Sequence, residues 1–174
     1  MTGESSKSFS IGWFNWKSSA ALMVFISVII FFLAVQSDGK PSLTAVAIST
    51  GVLGLIVLQM VVSKITVEKD KLIAGGGLYK VKVPWSEINI DKVVRLAPDD
   101  SFRLGWRKNG IGWPGYCVGW FGSSKKKNVF VATSGRDNLV YIPTRKSFDI
   151  VVTPSDPDDF LDTLRRISLD STPV

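Results

Sequence analysis

The chain has 174 residues, 45% of them hydrophobic, with a mean hydropathy of +0.21 and a formal net charge of +6. Beside any membrane segments, that length holds one soluble domain of about 100 residues. With no histidine and a single cysteine, Cys117, the sequence excludes histidine triads, imidazole acid–base chemistry, thiolate metal sites and an intrachain disulfide framework.

Residues 1–10 are polar and serine-rich, with too little apolar surface to order themselves, and read as a mobile tail. In 11–17, Trp13, Phe14 and Trp16 place amphipathic rings beside Lys17, the composition of an interfacial anchor at headgroup level. The other reading is that these rings simply begin the first helix. Residues 20–35 form an apolar run whose only polar side chain is Ser27, and residues 43–62 form a second, across a polar break at 36–42. A bilayer core about 30 Å thick needs roughly 20 helical residues, so the two runs predict a transmembrane helical hairpin over 18–63. A secretory signal fits less well, because the flank is aromatic rather than strongly basic and no small-residue cleavage site follows.

Lys7 and Lys17 precede the hairpin and Lys64, Lys69 and Lys71 follow it, whereas the loop has only Lys40. The excess places both termini on the cytoplasmic side of the cytoplasmic membrane. Ala47, Gly51 and Gly54 offer the helices a surface for close approach, or are ordinary membrane-helix small residues. Thr44, Ser49, Thr50 and Gln59 are suited to interhelical contacts, although their spacing makes no single stripe.

From residue 64 the pattern turns to short strands between turn residues. Residues 65–67 and 72–74 alternate around a charged turn at 68–71, and Gly75, Gly76 and Gly77 supply a tight reversal. In 78–83, Tyr79, Val81 and Val83 share one face and Lys80 and Lys82 the other. Pro84 closes that strand, 85–88 reads as a single turn, and Val93 and Val94 open another strand ending at Pro98. Connections this short predict a mostly antiparallel sheet.

Residues 102–121 read FRLGWRKNGIGWPGYCVGWF, a glycine–aromatic mixture suited to sharply bent strands. Gly110 to Gly115 matches GxGxxG literally, but a dinucleotide site needs that motif to leave a strand and open a helix. Pro114, followed by Val118, Trp120 and Phe121, predicts strand or loop instead. A basic hairpin tip at 123–128, strands at 129–132, 139–143 and 148–152, and a turn at 134–138 complete the sheet. A terminal helix then has Asp156 as cap, Pro157 in its first position, Asp158 and Asp159 at its positive end, and Arg165 and Arg166 at its negative end. Its stripe of Phe160, Leu161, Leu164 and Ile167 requires a sheet to cover.

About seven short strands and one amphipathic helix resemble the pleckstrin-homology-like (PH-like) fold, an open β barrel plugged by a C-terminal helix. ITVEKDKLIAGGGLYKVKVPWSEI resembles the opening of bacterial PH-like domains. NGIGWPGYCVGWF, VYIPTR and VTPSDPDDFLDTL resemble the membrane-anchored bacterial PH-like family, in which helical spans commonly precede the domain. The organisation expected is therefore a tail and interfacial segment over 1–17, the helical hairpin over 18–63, a PH-like domain over 64–168 and a C-terminal tail over 169–174. The resemblance implies no agreed active site.

Between 101 and 136 lie seven basic residues, Arg103, Arg107, Lys108, Lys125, Lys126, Lys127 and Arg136, and no acidic one. They are the candidate contact for membrane lipids or a partner, with a solvated hairpin tip as the plainer reading of the three lysines. Tethering and the modest net charge argue against nucleic acid. No motif marks a cofactor, a metal or a small-molecule substrate. The function expected is a non-enzymatic, membrane-anchored module docking a protein or lipid headgroups. The alternative is an accessory subunit of a larger membrane complex, packed on an integral-membrane partner or on a second copy through sheet edges. A barrel-mouth ligand carrier is a third reading.

Overall fold

The computed structural model describes residues 6–11, 16–36, 43–97, 104–113, 115–123, 128–135 and 137–170. A short strand, β1 (Lys7–Ser10), leads to two helices, α1 (Trp16–Gln36) and α2 (Leu43–Val62). Strands β2 (Lys64–Val67), β3 (Lys71–Gly76) and β4 (Tyr79–Pro84) follow, then short 3-10 turns at Trp85–Glu87 and Ile90–Lys92. The chain continues through β5 (Val94–Arg95), β6 (Leu104–Trp113), β7 (Tyr116–Ser123), β8 (Asn128–Thr133), β9 (Val140–Ile142) and β10 (Phe148–Val152) to α3 (Pro157–Asp170). One sheet has the order β1-β2-β3-β4 and the other β5-β9-β10-β8-β7-β6.

Alternation decides which face each strand buries. On β4, Val81 and Val83 point inward and Lys80 and Lys82 outward, as their period of two requires. The core between the sheets is filled by Ile65, Leu72, Val83, Val118, Phe130 and Ile150, and α3 closes it with Phe160 and Leu164. Trp85 anchors the 3-10 turn, its ring in the core and its Nε1–H donating to the Glu68 carbonyl at 2.9 Å.

The second sheet also buries side chains on its other face, where Leu96, Phe121, Val129, Val131, Tyr141 and Val151 form a second cluster. Asp149 lies fully buried there; the Tyr141 hydroxyl donates to its Oδ2 at 2.6 Å and the Thr144 N–H to its Oδ1 at 2.8 Å. Burial first, then the neighbouring carboxylate, raises the Tyr141 hydroxyl far above the ordinary tyrosine range. It therefore stays the donor. Pairing is antiparallel except between β10 and β8, which run parallel because β10 inserts between β8 and β9.

The N-terminal segment departs from the expected tail. Lys7–Ser10 pairs antiparallel with β2, from Lys7 opposite Val67 to Ser10 opposite Lys64. Phe9 is buried against Phe160, ring centroids 5.2 Å apart and edge to face, and the Lys7 ammonium meets the Asp159 carboxylate at 2.6 Å. Ile11, expected in the interfacial segment, is buried and bridges to Pro154. Phe9 docking on α3 and Ile11 entering the same core supply the ordering that a serine-rich sequence lacks by itself.

Both N-terminal helices form where expected. Among the described residues no helix is long and apolar enough to cross a membrane, so the hairpin stands as a pair of helices. Their glycines are not a contact surface: a Cβ on Gly51 or Gly54 would meet nothing within 4 Å. The helices instead flank a crevice of about 170 Å³ lined by Ser27, Ile30, Phe31, Val46, Ser49, Thr50 and Leu53.

The terminal helix is capped as expected. The Asp159 N–H donates to Asp156 Oδ1 at 3.0 Å, and the Phe160 N–H to the Asp156 carbonyl at 3.1 Å. The helix runs on to Asp170, which leaves Arg165 and Arg166 short of its last turn. Asp156→Ala should lower stability by about 1 kcal/mol, with Asp156→Asn near neutral, in chemical denaturation followed by circular dichroism. Equal losses for both would assign the effect to charge rather than to the cap.

Candidate interaction surface

Helix α2 is joined to the sheets through polar groups at its C-terminal end. Gln59, buried in the last turn, donates from Nε2 to the Gly76 carbonyl at 2.6 Å and accepts at Oε1 from the Leu78 N–H at 2.8 Å. Its own carbonyl accepts from the Ser63 hydroxyl at 2.7 Å, and that hydroxyl shares a 2.6 Å bond with the Tyr116 hydroxyl. Burial raises the Tyr116 hydroxyl above the ordinary tyrosine range, against the opposing effect of the Ser63 bond. Gln59 thus uses both ends of its amide on the domain rather than on a neighbouring helix.

The glycines of the β3–β4 reversal make this contact possible. A Cβ on Gly76 would overlap the Val62 carbonyl, and one on Gly77 would overlap the Gln59 amide oxygen. Leu78, at the tip beside them, is 85% exposed. The foot of α2, the β3–β4 turn and the start of β7 therefore form one end of the domain.

Of the predicted basic residues, Arg107 and Lys108 lie among the described ones. The tip of the β6–β7 hairpin, where Trp113 pairs with Tyr116, lies beside Ser63, whereas Leu104 and Ser123 pair at the other end. Eight residues of β7 separate the two by roughly 23 Å at about 3.3 Å per residue. Arg103, Lys125, Lys126, Lys127 and Arg136 lie outside the described residues, as do Trp13 and Phe14. Trp16 and Lys17 open α1, and their side chains are likewise not described.

Arg107 and Lys108 lie on β6, the edge strand, between Leu104 and Asn109, where two register shifts bulge the strand away from β7. Both are exposed, and Lys108 Nζ donates to Asn128 Oδ1 at 2.7 Å. Trp106 beside them is 93% exposed, a large ring in contact with solvent. Bulges and cations are devices that keep an open edge from pairing indiscriminately.

The GxGxxG match has a structural role. Gly110 and Gly112 lie within β6, Gly115 occupies a turn and β7 follows it, so no helix N-terminus stands ready for phosphate. Gly110 faces Gly119 across the hairpin, both at positive φ, and a Cβ on either would overlap the opposite backbone. Among the described residues, no group of histidine, cysteine, aspartate and glutamate is arranged to hold a metal ion.

Sequence reasoning set Gln59 among helix-contact residues and passed over Ser63, Tyr116 and the exposed Leu78. The usable signal was an amide-bearing residue one turn before the end of an apolar helix, followed at i+4 by a serine. Residues 63–168 match the family model described as Bacterial PH domain. No curated protein and no solved structure matches the chain.

Proposed function

Since the chain belongs to the bacterial PH domain family, which is typically non-catalytic, we propose that it is a docking module held at the cytoplasmic membrane by α1 and α2, with its sheets on the cytoplasmic side. The observation that carries this reading is the outward display of Val24, Phe25, Phe31 and Phe32 on α1 and of Leu43, Ile48, Leu55, Leu58 and Val61 on α2. Soluble monomers rarely expose apolar patches beyond a few hundred Å², whereas lipid tails cover such a surface without cost. The pairing of Ser10 with Lys64 supports placing both helix feet on one side of the membrane.

The far end of the β6–β7 hairpin bears on what is docked. Lys108 reaches Asn128 near that end. The strand ends there lie roughly 20 Å from the foot of α2, well beyond a Debye length of about 8 Å at physiological salt. Lys108 and the exposed Trp106 near that end suit an acidic protein surface better than the headgroups of the anchoring leaflet. The second reading, an accessory subunit of a larger membrane complex, is favoured by the crevice in which Ser27, Ser49 and Thr50 present hydroxyls to an additional helix.

In membranes from the native cell the chain should remain in the pellet after alkaline carbonate extraction and move to the soluble fraction only with detergent. Release by carbonate alone would overturn insertion. The mass of the gently solubilised particle then separates the two readings, since a stoichiometric integral-membrane chain in it favours the accessory subunit.

A further inference from the structure

The β3–β4 turn is fixed to the foot of α2 rather than free to move. Gln59 bonds both Gly76 and Leu78, and a Cβ on the intervening Gly77 would stand 3.3 Å from Val62 Cγ2. The Leu78 side chain therefore projects at the level at which α2 ends. Its surroundings continue the apolar surface of the helix, because Val61 and Val62 are exposed there. A turn that needs glycines to approach the helix has no folding requirement for a leucine facing water.

Charge supports the same partner. Lys64 pairs with Gly75 and Gly75 with Lys80, so the two exposed lysines lie in one row across β2, β3 and β4 next to the turn. The acids of these strands, Glu68 and Asp70, sit in the β2–β3 turn at the opposite end. This end of the sheet thus combines an apolar tip with cations, which matches the acyl–headgroup boundary of an anionic leaflet.

We propose that the β3–β4 turn is a membrane contact in its own right, with Leu78 entering the boundary of the leaflet that α2 leaves and Lys64 and Lys80 meeting lipid phosphates. It rests on the reading that α1 and α2 are inserted. The contact orients the sheets against the bilayer surface instead of leaving them to swing on a tether.

The test uses the full chain in liposomes of phosphatidylethanolamine and phosphatidylglycerol, with Cys117→Ala removing the native thiol. An environment-sensitive fluorophore is attached in turn to Leu78→Cys, Val61→Cys as the helix reference and Ser86→Cys as the water reference. At position 78 the emission should be blue-shifted from that at 86 and quenched by acyl-brominated lipid, as at 61. Water-like emission without quenching at 78, with bilayer behaviour at 61, overturns the proposal and leaves the helical anchor intact. Water-like emission at both positions overturns the anchor as well.

Discussion

Gly76→Val is expected to separate the helical hairpin from the domain, at a cost of about 3 kcal/mol. The new side chain would be built into the Val62 carbonyl and the Ser63 Cα, backbone atoms that cannot rotate away. Relief requires the end of α2 to withdraw, which breaks both Gln59 amide bonds and exposes the Ser63–Tyr116 pair. Gly135→Ala, at a position where a Cβ meets open space, is the matching control and should stay within about 0.5 kcal/mol of the parent. Denaturation in detergent gives the energies, and amide exchange at Leu78, fast in Gly76→Val and slow in the control, locates the damage. Gln59→Leu should reach the same junction from the helix side, leaving the Leu78 N–H and the Gly76 carbonyl without their partner for about 2 kcal/mol. Unchanged exchange at Leu78 in both variants would falsify the junction as drawn.

Phe160→Ala should be at least as damaging, about 3–5 kcal/mol. Its ring is fully buried, closes one end of the core and meets Phe9 edge to face. The cavity would be bounded by β1 on one side, so part of the loss should appear as fraying of Lys7–Ser10 from β2. Phe9→Ala combined with Phe160→Ala should lose less than the two single variants summed, with a coupling of about 0.5–1.5 kcal/mol. Strict additivity would mean that the rings pack independently and that β1 is held by its backbone bonds alone.

The strands and α3 were legible because each carries a local signal. Val81 and Val83 alternate with Lys80 and Lys82, and Asp156–Pro157 announces a helix whose buried stripe follows at regular spacing. β1 has no such signal. Phe9 and Ile11 are separated by a serine and flanked by polar residues, and the strand they pair with lies beyond two whole helices. What orders them is tertiary, and no window of sequence contains it. The parallel pairing of β8 and β10 was hidden for a related reason. The buried run of β10 reads as a strand covered on both faces, but nothing in it names its neighbours.

The interaction surface was less legible than the fold. Seven basic residues form one block in sequence because no acid interrupts them, and of these Arg107 and Lys108 lie among the described residues, on the edge strand β6. Gln59 stood out as a polar residue in an apolar helix, and its partners became visible only when the β3–β4 turn was folded against it. Leu78 gave no signal, since a leucine before a strand reads as part of that strand.

The pairing of β1 with β2 also sets an order of events during synthesis. β1 leaves the ribosome first and must wait, unpaired, until α1, the loop and α2 have been made and Lys64 has followed. In a chain whose helices enter a bilayer, a hairpin that crossed only once would leave Ser10 and Lys64 on opposite sides, and the pair could never form. On the membrane-anchored reading proposed above, sheet closure would serve as a check on topology, because Phe9 would reach Phe160 only in molecules whose helices had gone in and come back. On the same reading, a misinserted chain would keep an unpaired edge on β2 and an uncovered Phe160.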